Sequence, residues 1–220
     1  MTPFRLKEAS RRSMRRTKED AAKTREEVLT AAAAVFYENG VSGSSLEKIA
    51  QRAGVTRGAI YWHFKDKAEV LTALHSEIRL PQEAIVDHAL EHGHDDPLGL
   101  IEQASIEVVH ILANDEHQQR VFAIMILGCE FTEDPSETAQ RIITANAEMY
   151  EKLQKLIDMA DQQGKLASGW TVDTAARAFQ CSMNGLFAEW LRSGKSFPVV
   201  DVGEKLVRSL IGSMRRSQDP

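Results

Sequence analysis

No apolar run in this chain approaches the ~18–20 residues needed to span a bilayer, so no membrane partner is expected. The N-terminal stretch is positively charged but lacks the apolar core and small-residue cleavage site of a signal peptide. Cysteine is scarce: Cys129 and Cys181 are the only two in 220 residues. Two thiols make no disulfide framework, and with no export signal the expected home is a reducing cytoplasm. No alternating strand pattern with hairpin turns is present, which points to an all-α fold. Nucleophile motifs, phosphate loops and dinucleotide fingerprints are missing too. The sequence therefore nominates no catalytic residue and no cofactor, and an enzyme is not expected.

What is present is a folded protein's composition, 43% hydrophobic and 27% charged, in a length that suits one or two domains. The formal charge of −5 divides unevenly, residues 1–70 carrying +5 and the remainder −10. A basic head on an acidic body suits a protein that meets a polyanion with one end. Residues 1–18 hold seven basic residues (Arg5, Lys7, Arg11, Arg12, Arg15, Arg16, Lys18) against Glu8. They read as a flexible arm, either a solvated tail or an added attraction for DNA phosphates.

Apolar positions at Ala22, Val28, Leu29, Ala32, Ala33, Val35 and Phe36 predict a first helix over 19–39, with Gly40 as its stop. Ser44 and Glu47 have capping-box spacing for a second helix, 46–53. Gly54 supplies a turn, and Thr56 is the expected N-cap of a third helix through His63. Asp66 and Glu69 start a fourth, continuing to Glu91, which Pro81 should end, kink or restart. Further helices are expected at 98–113, 117–128, 135–163, 172–193 and 201–216, about nine in all. The domains read as arm 1–18, head 19–66 and body 67–220.

The second and third helices form a helix-turn-helix, a device that can place its second helix in the DNA major groove. Gly58 and Ala59 allow close backbone approach. Thr56 can cap its helix and offer a hydroxyl to a phosphate. Arg57 is the candidate for a base edge, bidentate to guanine. Tyr61, Trp62, His63 and Lys67 are placed for phosphates, and Ser44 and Ser45 for the flanking backbone. Ile49, Ala50, Ala53, Val55, Ile60 and Phe64 read as core. Tyr61 to Phe64 are four consecutive helical positions and cannot all face one interior, so some must point outward.

From Lys23 to Leu71 the chain resembles the DNA-binding domain of the TetR family of repressors. The matching phrases are Ala32–Phe36–Gly40, Leu46–Ala50, Ala53–Val55 and Tyr61–Lys67. GAIYWHF, with Cys129-Glu130-Phe131-Thr132 further on, resembles the AcrR-like branch, whose members often regulate multidrug efflux pumps. The resemblance implies a homodimer on a near-palindromic operator and a C-terminal domain for ligand binding and dimerisation. It implies repression relieved by a ligand there, through a swing of helix 67–91 that separates the two recognition helices.

In the body, helix 172–193 has one broad apolar face (Ala175, Phe179, Met183, Leu186, Phe187, Trp190), and helix 201–216 another (Val202, Leu206, Leu210, Ile211, Met214). These faces either close a monomer's core or, as the resemblance implies, pair with their copies in a dimer. For a hydrophobic or aromatic inducer, Phe122, Ile126, Phe179, Met183 and Phe187 supply apolar walls, Val109 another, and Asn184 an orienting hydrogen bond. Each is also plausible as ordinary core.

Two clusters point elsewhere. His88, Glu91, His92, His94, Asp95 and Asp96 include metal-ligand types, but His-Glu-x-x-His is absent and a solvated helix end explains them better, so no metal is expected. Cys129 and Cys181 read as small hydrophobes before an oxidant sensor. The reading is a ligand-responsive transcriptional repressor. The alternatives are a DNA-binding regulator without a small-molecule ligand, and an enzyme with an accessory DNA-binding domain.

Overall fold

The computed structural model describes residues 3–77, 83–127 and 137–216. Pro81, Cys129 and the Cys129–Thr132 phrase lie outside these residues. Among the described residues there are ten helices: α1 Pro3–Asn39, α2 Leu46–Ala53, α3 Arg57–His63, α4 Lys67–Glu77, α5 Glu83–His92, α6 Pro97–Asn114, α7 Glu116–Leu127, α8 Glu137–Gln162, α9 Val172–Arg192 and α10 Val199–Met214. The expected single helix 67–91 is described as two, α4 and α5, which brings the count above the expected nine. No helix among the described residues is long and apolar enough to cross a membrane.

Residues 3–18 are not a separate arm but the first turns of α1. Nothing there breaks a helix: Pro3 opens it, where its missing N–H costs nothing, and Arg, Lys, Leu, Ala, Glu and Met are good helix formers. The chain divides into two compact units, Met1–Leu74 and His75–Pro220. The boundary falls inside α4 and not at residue 66, and Ala68, Val70, Leu71 and Leu74 of that helix are buried.

In the first unit α1, α2 and α3 pack on one another. Val28, Leu29, Ala32, Ala33, Val35 and Phe36 make one buried face of α1, and Ile49, Ala50, Ile60 and Phe64 are buried too. Gly54, at φ 69°, ends α2 in the left-handed conformation that favours glycine, and its N–H returns to Ala50 and Gln51. Arg52 of α2 forks onto Glu38 of α1, at 3.2 and 3.0 Å.

In the second unit α10 packs on α6 and α9, while α8 packs on α9, α6 and α5. Gly203 lets α10 approach closely: a Cβ there would lie 2.8 Å from a Val109 methyl and 3.1 Å from Leu186. The C-terminal end is fastened by Arg215, which forks onto Asp96 at 2.9 and 3.0 Å, and by an isolated bridge from Leu166 to Arg215. Asp96 also accepts from the Gly99 N–H as the cap of α6. These bonds, led by the Arg215 guanidinium, hold its carboxyl below the usual carboxylate range.

Candidate nucleic-acid interface and an apolar cavity

The turn between α2 and α3 sets which side chains α3 shows. Thr56 caps α3 by accepting from the Ala59 N–H at 3.2 Å. With the start fixed, Ile60 and Phe64 fall inside, and Tyr61 and Trp62 outside at 44% and 73% exposure. Tyr61 and Trp62 thus occupy consecutive exposed positions on a short helix. Gly58 has only the Thr56 hydroxyl within reach of an added Cβ, at 4.0 Å, so the protein's own packing does not demand glycine there. Arg57 is exposed, its guanidinium 5.5 Å from the centroid of the Tyr61 ring and 3.3 Å from Glu47. His63 is half-buried, with its ring edge-on to Trp62 at 4.5 Å. Burial, then the nearby Arg25 cation, pushes its pKa down, so at neutral pH it offers an N–H and not a positive charge.

Three expectations for this surface change. Ser44 is buried, and its hydroxyl donates to Gly40 O at 2.6 Å and to Val35 O at 3.3 Å, closing the end of α1. It is therefore not turned to a DNA backbone. Nor does it form the capping box with Glu47: Ser45 caps α2, accepting from the Lys48 N–H at 3.2 Å, while Glu47 turns to α3. Lys67 points its ammonium at Val41 O and Ser42 O, at 2.9 and 3.4 Å, so it fastens the loop before α2.

The second unit holds a partly open cavity of ≈ 230 Å³. Phe122, Phe179, Met183, Asn184 and Phe187 line it, as expected from the sequence. Phe122 and Phe187 meet edge to face, with centroids 5.3 Å apart. Val109 does not line it. It is fully buried one position round α6, with its methyls against Gly203. Ile126 lies on α7, and its side chain is outside the described residues.

Sequence reasoning missed the α6 stripe Ile101, Ala104, Ser105 and Val108 and the α8 wall of Met149, Tyr150, Lys152, Leu153 and Leu156. The α6 stripe repeats at helical spacing, and its one hydroxyl, Ser105, breaks an otherwise apolar face. That hydroxyl was the available signal. Polar groups are few on the lining: His75, Ser105, Tyr150, Lys152, Gln180 and Asn184. Tyr150 donates to Asp173 at 3.1 Å and carries the Arg177 guanidinium 4.0 Å from its ring centroid. Lys152 pairs with Asp87 at 2.8 Å. An apolar chamber with a small polar set suits an uncharged or weakly polar organic ligand.

The end of α4 is tied to α7 beside this chamber. His117 Nε2 lies 2.9 Å from the Glu77 carboxylate, and Gln118 donates to Glu77 O at 3.2 Å. The Glu77 bond, opposed by burial, raises the His117 pKa. A raised folded-state pKa gives stability that is complete below the unfolded value of about 6.5 and fades as pH climbs through the folded value. Wild type should therefore lose about 0.5–1 kcal/mol relative to His117→Gln between mildly acidic and alkaline pH. Urea melts of the two proteins across that range check it, and parallel curves would dismiss the pair as a stability contributor.

His88 and His92 stack 4.4 Å apart, and Asp96 is engaged by Gly99 and Arg215. Among the described residues no three His, Cys, Asp or Glu side chains group to hold a metal ion. Cys181 is a free, exposed thiol on α9, not a buried hydrophobe.

Residues 28–74 match the family described as bacterial regulatory proteins, tetR family, and residues 96–215 match the MAATS-type transcriptional repressor C-terminal region. The HTH-type transcriptional repressor BepR of Brucella suis biovar 1 (strain 1330) is 38% identical, over 92% of this chain and 97% of its own. NalD, titled the secondary repressor of the MexAB-OprM multidrug efflux pump in Pseudomonas aeruginosa, is a solved structure 33% identical. It superposes with a TM-score of 0.74, over 90% of this chain and 98% of its own. A SmeT–triclosan complex gives a TM-score of 0.79 at 26% identity, over 89% and 93% of the two chains. A second SmeT structure is titled the repressor of the Stenotrophomonas maltophilia multidrug efflux pump SmeDEF. With both halves matched by regulator models and a near full-length relative at this identity, the chain belongs to the TetR family of bacterial regulatory proteins.

Proposed function

We propose that this protein is an AcrR-like repressor of a multidrug efflux or related transport operon. A hydrophobic or aromatic small molecule entering the cavity of the second unit releases it from a near-palindromic operator. The observation that carries this reading is the division of labour between units. One presents Arg57, Tyr61 and Trp62 to solvent beside a capped helix-turn-helix, and the other holds a ≈ 230 Å³ apolar chamber. BepR, NalD and SmeT, named or titled as repressors and two of them of efflux pumps, support it. The SmeT complex shows that a relative of this fold takes an aromatic, largely apolar compound.

The working form is a cytoplasmic homodimer joined through helices 172–193 and 201–216. Val202 is 42% exposed on α10. Gly185 on α9 and Gly212 on α10 have nothing within 4 Å of an added Cβ, leaving room for a close helix–helix approach. Two heads then engage half-sites about 34–36 Å apart or a multiple of that. Ligand and operator favour different conformations, so each weakens the other by the same factor. No step of this reading is catalytic.

A thermal-shift screen of hydrophobic drugs and phenolic compounds tests the chamber, since a ligand of the native state raises the melting temperature. Met183→Trp, which fills the chamber from α9, should abolish the shift while the protein stays folded. An equal shift in both proteins would place the ligand elsewhere.

A further inference from the structure

Glu47 is an acid on a surface proposed to face phosphates, where a carboxylate left without a role weakens binding to every DNA sequence alike. Its contacts give it one. The Tyr61 hydroxyl donates to Glu47 Oε1 at 3.1 Å, and Arg57 Nη2 lies 3.3 Å from the same oxygen. The Arg57 guanidinium carbon sits 5.5 Å from the centroid of the Tyr61 ring, one helical turn along α3. The arginine is thus held at one nitrogen by charge and flanked along its face by an aromatic ring. Guanidinium has five N–H donors in a fixed fork, and one carboxylate oxygen leaves the rest free for a partner. The carboxyl is kept ionised below its ordinary range by its bond to its own backbone N–H, then by the Tyr61 hydroxyl.

We propose that Glu47 is a positioning residue that presets Arg57 for a base edge, so that operator sequence is read at a smaller cost in side-chain freedom. The inference rests on the reading of α3 as the operator-reading helix. Its signature is a pair of opposite signs. Bidentate base contact gains from an arginine already held in one geometry, whereas loose contact with phosphates gains only from removing the negative charge.

The test uses the full-length protein, an operator selected by it from random duplexes, and a scrambled duplex of equal length. Glu47→Gln should weaken operator binding about 3-fold and tighten scrambled-DNA binding about 2-fold, the range expected of an exposed ion pair. The logarithmic salt dependence on scrambled DNA should steepen by about 0.9, one extra phosphate's worth. Tyr61→Phe, which keeps the ring and the net charge, should weaken operator binding in the same direction with no change of salt slope. In an Arg57→Ala background, Glu47→Gln should no longer change the ratio of the two affinities. Tighter binding to both duplexes by one factor, or an unchanged ratio, would overturn the proposal. Arg57→Ala alone separates the failures. If it leaves the ratio untouched, the reading of α3 falls; if it lowers the ratio and Glu47→Gln does not, only the role of Glu47 falls.

Discussion

Replacing Arg57 by Ala weakens operator binding by about 1–3 kcal/mol, roughly 5- to 150-fold, and relaxes the sequence preference at the base pair it reads. The effect follows from position. Arg57 is the first residue of α3, directly after its Thr56 cap, and its side chain is exposed. It carries a planar fork that matches the two acceptors of guanine in the major groove. Trp62, 73% exposed, has no such fork. Trp62→Ala should weaken all duplexes by one factor while moving stability by no more than about 0.5 kcal/mol. Fluorescence anisotropy on the selected operator and its single-base variants reads both. Equal loss on operator and scrambled DNA for Arg57→Ala would mean that Arg57 holds phosphate and reads nothing.

Phe64→Ala acts by another route and with a larger effect. Phe64 is 2% exposed, and the Arg25 guanidinium lies 5.3 Å from its ring centroid. Emptying such a site destabilises by about 3–5 kcal/mol, the lost transfer of the ring plus the cavity left behind. A unit of some seventy residues has little stability to spare at that scale. Operator binding should vanish near physiological temperature while the His75–Pro220 unit still melts cooperatively and still answers to a cavity ligand. Circular dichroism melts with and without ligand check this. A loss below about 1 kcal/mol would show that the head repacks around the gap.

The head was legible in the sequence because its punctuation is strong. Gly40, Gly54 and Thr56 fix helix ends by backbone chemistry, and each stands where the structure ends or caps a helix. Ser44 and Ser45 show the limit: adjacent serines both satisfy a capping pattern, and only the packing of α1 decides which one turns inward. Lys67 looked like a phosphate contact because sequence shows its charge and not the loop carbonyls within its reach. Five of the seven expected cavity residues line the chamber, as apolar stripes on α7 and α9 face one another across it. Val109 failed by one position on α6, about 100° of rotation, which is the difference between facing a chamber and facing Gly203. The α8 wall was out of reach for a plainer reason: periodicity gives a helix its faces but not its neighbours.

In the proposed mechanism, filling the cavity of the second unit frees the operator. Labelled operator DNA bound to the full-length protein, titrated with a compound that raises its melting temperature, tests it directly, with molar mass followed by light scattering. Operator should be released as the cavity saturates, with the mass still that of the dimer and Met183→Trp unresponsive. Operator held unchanged by a saturated protein, or release accompanied by monomers, would contradict it.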